Sequence, residues 1–474
     1  MPAVTTSVPP TRPIPGSYGF PVLGPLKDRL DYFWFQGPEK FFRNRMSTYK
    51  STVFRVNMPP TFPFFTGVDP HVVAVLDCTS FATLFDSAIV DKRDVLVGDY
   101  MPSLSFTGGT RVVVYQDTSE EAHGRIKSFC LDLLRRSARV WVDEFLGSLG
   151  IMLSTIEGDL SKGATSSNFL VPLQKCVFTF LTKSIVGADP STDEAIKETG
   201  FALLDSWLAL QLLPVTNIGF LQPLEEIFLH SFPYPFLLVS GPYKKLYNFV
   251  EKQGKEVLER ATSEYGMTKD EAINNILFVL GFNAFGGFSL FFPSLITTIG
   301  RENNGLRENI RDEVRRVLKG TNGELGFEAV KQMELVKSTV YEILRLHPPV
   351  PLQYGRARND FVLTSHDATF QVSKGELLCG YQPLAMRDPT VFKDPESFVP
   401  TRFMGDQGRE QLNYVYWSNG PQTSSPSPEN KQCAAKDYVV WTACLFLAEL
   451  FRKYDDFECD ESSTAITKLE KATS

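Results

Sequence analysis

From Ala272 to Gly300 the chain carries no charged residue, and this stretch limits the folds open to it more than any other. It reads INNILFVLGFNAFGGFSLFFPSLITTIG from Ile273. By length it could cross a bilayer, which takes about 20 apolar residues. Asn274, Asn275, Asn283 and the helix-breaking Pro293 argue instead for a helix running through the interior of a large protein. Gly281, Gly286 and Gly287 are expected to let something flat approach its backbone. A core of the necessary size is available, since the 474 residues are 43% hydrophobic and 22% charged. No polar linker separates hydrophobic blocks, so residues 13–474 are expected to form a single domain after a flexible N-terminus over residues 1–12.

That N-terminus is rich in Ser, Thr and Pro and has no acids, which is compatible with a stub of a transit peptide. It has too little apolar length for a transmembrane anchor and lacks a secretory signal. Contact between the folded surface and lipid stays open. The formal charge of −7 and the absence of a Lys/Arg run exclude a nucleic-acid partner, because phosphate binding needs a basic face. The seven cysteines show no CxxC spacing, and the five histidines form no HExxH or other tight pair. A bound metal must therefore hang on a single cysteine.

Most of the chain reads helical. Val336, Val340, Ile343 and Leu344 recur at helical spacing before His347-Pro348-Pro349, and Leu246 to Glu264, Leu306 to Leu318 and Tyr438 to Phe451 show the same stripes. Strand patterns occur at Val53 to Val56, Val72 to Leu76 and Phe361 to Val372. The expected class is mainly α with small β-sheets. Ser418 to Asn430, SNGPQTSSPSPEN, cannot form a core and must be loop.

That loop runs into Cys433, which a helix follows. At a helix start the dipole and free N–H groups favour a thiolate, the form that ligates iron; the plain alternative is a small buried hydrophobe. Glu342 and Arg345 are helical neighbours, an arrangement common on helix surfaces. Their place in a series is distinctive: ExxR, Pro-Pro, Pro400-Thr401-Arg402-Phe403, a glycine-bearing loop over Trp417 to Gly420, then the cysteine. The series resembles the cytochrome P450 signature. It implies a P450 fold with haem between the long central helix and the cysteine loop, Cys433 as iron ligand, and a structural network of Glu342, Arg345 and Arg402.

Dioxygen-activating members of that family carry an acid–alcohol pair in the central helix for proton delivery. Here the helix reads Gly281-Phe282-Asn283-Ala284-Phe285-Gly286-Gly287-Phe288, with neither acid nor threonine. Lys431 and Ala435 also replace the usual Arg and Gly flanking the cysteine. Through these departures, and through IPGSYGFPVLGPLKDRLDYFWFQGPEKFF, FNAFGG, VPLQYGRAR, SHDATF, GYQPLAMRDP, YWSNGPQT and ENKQCAAKD, the chain is similar nearly end to end to the plant P450s that rearrange fatty acid hydroperoxides. These are the allene oxide synthases, divinyl ether synthases and hydroperoxide lyases. DYFWFQGP, PPTFPFF, QPLEEIFLH and NKQCAAKD look most like the 13-hydroperoxide lyases.

The resemblance implies haem b (iron protoporphyrin IX), with Lys92, His123, Lys127 and Lys431 at its propionates, although His123 and Lys127 alone would read as a solvated helix face. It implies homolytic O–O cleavage of a fatty acid hydroperoxide and a hemiacetal that falls into a six-carbon volatile aldehyde and a twelve-carbon ω-oxo acid. No dioxygen, NADPH or reductase is needed, and the setting is the plastid, with its envelope an open possibility. Asn283 would bind the peroxide; back-bonding within its helix is the alternative. Leu96 and Val114 occupy positions where allene oxide synthases carry Phe and Ser, and would steer the product, or they are plain core packing. An allene oxide or divinyl ether synthase, and a haem-binding, lipid-associated structural protein, remain the alternatives.

Overall fold

A computed structural model describes residues 10–60, 65, 67–219, 221–461 and 464–472. The uncharged stretch forms a continuous rod: an α-helix Lys269–Phe278, a π-helical stretch Val279–Phe285 and an α-helix Gly286–Arg301. Thr268 caps its start by accepting the Glu271 N–H at 3.1 Å, and Asp270 and Glu271 lie in the first turn, where they complement the dipole. It is the one described helix long and apolar enough to cross a membrane. It is instead a core helix: Phe278, Phe285, Phe291, Phe292, Leu295 and Ile296 are fully buried, and the helices Leu170–Leu181, Gly200–Leu212, Glu334–Leu346 and Lys436–Lys453 pack around it.

Two of its glycines serve helix packing, not the approach of a flat group. A Cβ on Gly281 would meet the Trp207 indole at 2.7 Å, and one on Gly286 would meet Leu208 at 2.8 Å. Only at Gly287 would a Cβ find open space. The helix expected over Leu246 to Glu264 is two, Ser240–Gln253 and Lys255–Tyr265, broken at Gly254, where a Cβ would meet the Val250 carbonyl at 2.8 Å. The longest helix, Glu121–Ser161, carries His123 and Lys127 on its first turns.

Three small sheets complete the mainly α architecture. The largest orders its strands Val53–Asn57, His71–Val75, Leu377–Tyr381, Leu352–Ala357 and Val90–Asp91. Residues 1–9 of the expected flexible N-terminus lie outside the described residues. Thr11–Arg12, placed in that flexible stretch, instead form a strand beside Thr369–Val372, which pairs on with Phe361–Thr364. One large helical core and two smaller cores under the sheets hold the apolar side chains.

Between these cores lies a buried ion network. Arg345 grips Glu342 with two bonds of 2.8 and 2.9 Å, and the Arg402 Nε donates to both carboxylate oxygens at 3.0 Å. The Val399 N–H adds a bond of 2.9 Å. Glu342 and Arg345 are wholly buried. Taking these charges out of water costs several kcal/mol per ion, about break-even only when every partner is present. Glu342→Gln, which leaves two guanidinium groups without their anion, is expected to destabilise the protein by about 3–5 kcal/mol in urea unfolding.

Candidate functional site

The loop before Cys433 is stitched at both ends. Trp417 N–H donates to the Gly420 carbonyl at 2.7 Å, with Ser418 in the left-handed region at φ 55°. Across the loop, Gln432 Nε2 reaches the Pro421 carbonyl at 2.6 Å, Asn419 Nδ2 the Lys431 carbonyl at 3.3 Å and Lys436 Nζ the Gln422 carbonyl at 2.9 Å. A side chain on Gly420 would strike Gln432 at 2.9 Å. Six of the seven cysteines are buried, whereas Cys433 is partly accessible. It lies just before the Ala435 N-cap of the helix Lys436–Lys453. Burial pushes its thiol up, against the pull of the Ala435 N–H and the ammonium groups of Lys127 and Lys436. Burial and the helix start thus act on the thiol in opposite directions.

Beside the cysteine, four basic residues, Lys92, His123, Lys127 and Lys431, crowd together. Lys92, His123 and Lys127 are buried. Lys127 donates to the Gln432 carbonyl, and Lys431 Nζ donates to the carbonyls of Val113, Val114 and Gln116 at 3.1, 3.0 and 2.6 Å. Lys92 Nζ, His123 Nδ1 and, in the cysteine loop, Trp417 Nε1 are buried without a hydrogen-bond partner among the described residues. Burial and the neighbouring Lys431 lower Lys92 to about 7, while burial, Lys431 and Lys127 lower His123 to about 4. The nearest acid, Asp117, is already engaged: burial pulls its pKa up, but Ser119, the Lys92 backbone N–H and Arg358 hold it well below the carboxylate range. Nothing in the spacing of Asp117 and Arg358, far apart in sequence, pointed to them.

On the central helix, three asparagines meet different fates. Asn274 donates to Thr110 at 3.0 Å and accepts from Tyr243, and Asn275 back-bonds to the Glu271 carbonyl at 2.9 Å while accepting the Val113 N–H at 3.1 Å. Asn283, in the π-helical stretch, is exposed, and its amide has no hydrogen-bond partner among the described residues. Single π-helical turns recur at functional sites because they turn a side chain out of register. Asn283, Gly287 and Leu290 follow at helical spacing, and Leu290 is 61% exposed. This open stripe was not singled out from the sequence, although i, i+4, i+7 periodicity marks it. Leu96, Val114, Phe282, Ala284 and Cys433 are each partly buried against the main core.

A family model described as cytochrome P450 matches residues 302–423, which include the Glu342, Arg345 and Arg402 network. Over 96% of this chain and 92% of its own length, a relative from Arabidopsis thaliana described as "Linolenate hydroperoxide lyase, chloroplastic" is 57% identical. One from Solanum lycopersicum described as "Fatty acid hydroperoxide lyase, chloroplastic" is 57% identical over 98% of this chain and 97% of its own. An "Allene oxide synthase, chloroplastic" from Arabidopsis thaliana is 43% identical over 98% of this chain and 90% of its own. The chain belongs to the cytochrome P450 family, on the branch that holds these hydroperoxide lyases and allene oxide synthases.

Membership implies haem, and the residues fit it. A partly accessible cysteine, buried basic side chains with unpartnered nitrogens among the described residues, and a helix stripe with open space at Gly287 together suit a flat, dianionic iron complex. In haem-free protein, Lys92 at about 7 against an ordinary 10.5 means that protonation opposes folding. Below about pH 7 both states are protonated and the penalty is full; stability rises as pH climbs from about 7 towards 10.5. Lys92→Met is expected to reduce that rise in urea unfolding of haem-free protein and to speed haem loss to an acceptor globin. Unchanged haem loss would remove Lys92 from the site.

Proposed function

We propose that this chain is a fatty acid hydroperoxide lyase that cleaves 13-hydroperoxides of linolenic and linoleic acid into a six-carbon aldehyde and a twelve-carbon ω-oxo acid, without dioxygen, NADPH or a reductase. The observation that carries this reading is Asn283: where an oxygen-activating site needs a proton-delivering acid and alcohol, the exposed position on the central helix offers a single unbonded amide. The greater similarity to the lyases than to the synthase supports the same choice.

Haem b bound through Cys433 supplies homolytic cleavage of the O–O bond. Lys92, His123, Lys127 and Lys431 would hold its two carboxylates. Asn283 would donate to the peroxide and orient it. Leu96 and Val114 present neither a ring nor a hydroxyl, so nothing on the wall prolongs the life of the substrate carbon radical. The outcome is a hemiacetal, which fragments to the two carbonyl products.

The substrate arrives from lipid, and the chain has a face suited to it. Phe33 stacks on His230 at 3.8 Å and Arg29 pairs with Glu226 at 3.1 Å, joining the segments around residues 20–35 and 217–238. Outward from that junction point Phe20, Phe35, Ile227, Phe228 and Leu237, the first and last about four-fifths exposed. Such a patch favours peripheral contact with a membrane. The chloroplastic relatives support residence in the plastid, where that contact would be with the envelope.

Asn283→Ala is expected to slow hydroperoxide consumption about 10²–10³-fold with the haem spectrum nearly intact; unchanged turnover would make the side chain structural. Leu96→Phe is expected to divert part of the product to allene oxide, read as its ketols, and adding Val114→Ser to increase the share, since about 1.4 kcal/mol shifts a branching ratio tenfold. A double variant that yields aldehydes alone would reduce both residues to packing.

A further inference from the structure

Away from the haem site, three donor side chains from separate segments converge. Cys78 begins the helix Cys78–Ala82, His366 sits in the turn between the strands Phe361–Thr364 and Thr369–Val372, and Asp388 follows the helix Gln382–Ala385. Their ligating atoms all lie within 4.8 Å of one another, and no other such three-donor group occurs among the described residues. His366 Nε2 stands 2.6 Å from Asp388 Oδ2 and 3.8 Å from Cys78 Sγ.

We propose that Cys78, His366 and Asp388 bind a zinc ion that fastens the helix Cys78–Ala82 and the segment after Ala385 to the turn of the neighbouring hairpin. In a catalytic relay a histidine uses one nitrogen for the nucleophile and the other for the acid. Here the same Nε2 lies near both thiol and carboxylate, so the three donors cluster and do not form a relay, and an ion entering there would replace the bond between Nε2 and Asp388. Nδ1 lies 3.3 Å from the Thr79 hydroxyl, an outer partner of the kind that orients a ligating imidazole. Sulfur with imidazole and carboxylate suits zinc and excludes magnesium or calcium, which take oxygen donors. Three protein ligands leave a fourth position for water. The His366 side chain is 31% exposed, which gives an ion a way in.

The competing account is a hydrogen-bonded clasp without metal. Asp388 accepts the Cys78 N–H at 2.9 Å, the Thr390 N–H at 2.9 Å and the Thr390 hydroxyl at 2.7 Å, which already anchors the carboxylate. In that account the Cys78 thiol is only a weak hydrogen-bonding partner of His366 and Asp388, whereas zinc would engage it as a full ligand. The staple would reach the haem side through Tyr416, whose hydroxyl donates to the Cys78 carbonyl at 3.2 Å and whose N–H donates to Met386 Sδ at 3.2 Å.

The test uses holoenzyme, in which haem occupies Cys433. Protein stripped on a chelating resin is titrated with zinc chloride, and the zinc-loaded sample is examined by X-ray absorption at the zinc edge. Expected are one tightly held zinc per chain and a sulfur neighbour at about 2.3 Å. Cys78→Ser should abolish the sulfur signal, and both it and His366→Gln should weaken zinc binding at least about tenfold while the haem spectrum reports an intact fold. Wild-type protein that retains no zinc, zinc without a sulfur neighbour, or unchanged binding in Cys78→Ser would overturn the proposal in favour of the clasp.

Discussion

Glu342 has both carboxylate oxygens filled, by Arg345, Arg402 and the Val399 N–H, with no exposure to solvent. The two guanidinium groups then spend their remaining donors on backbone carbonyls: Arg345 on Met386 and Pro395, Arg402 on Lys393 and Asp394. From Met386 the connection runs on to Tyr416, and Gln382 Nε2 takes the Tyr416 carbonyl at 2.9 Å. This matters because the segment Ser418 to Asn430 is too polar to be held by burial. Its course, and so the place of Cys433, depends on polar bonds at its two ends.

The haem site has the opposite character. The network satisfies every charge it buries, whereas the site buries ammonium and imidazole nitrogens that find no hydrogen-bond partner among the described residues. Leaving such groups unpaired costs stability, and the cost is offset only when a ligand brings the missing charge. Asn283 differs in being exposed: its amide has no partner among the described residues, whereas Asn274 and Asn275 on the same helix are bonded. A peroxide already contains the oxygen that a monooxygenase must reduce, so the site needs a donor to orient it and dry walls, not a route for protons.

Legibility followed sequence distance. The uncharged helix, the run of helices around it and the series from ExxR to the cysteine are local patterns, and the structure shows helices at Leu306–Gly320, Glu334–Leu346 and Lys436–Lys453 much as their stripes required. Gly254 escaped notice because a stripe of apolar residues continues across the break. The glycines of the central helix were read as room for a ligand, yet whether a glycine faces Trp207 or open space depends on a helix more than seventy positions away in sequence. Asp117 with Arg358, and Cys78 with His366 and Asp388, come from segments with no shared spacing. The π-helical stretch that turns Asn283 outward leaves no signature in residue type.

The account's central claim is that the site cleaves a peroxide supplied to it and does not build one from dioxygen. The most direct measurement incubates purified holoenzyme with 13-hydroperoxylinolenic acid under argon, without NADPH or reductase, and follows the products by mass spectrometry. The account predicts full turnover to a six-carbon aldehyde and a twelve-carbon ω-oxo acid. A requirement for dioxygen and reductase, or ketols in place of the two carbonyl fragments, would contradict it.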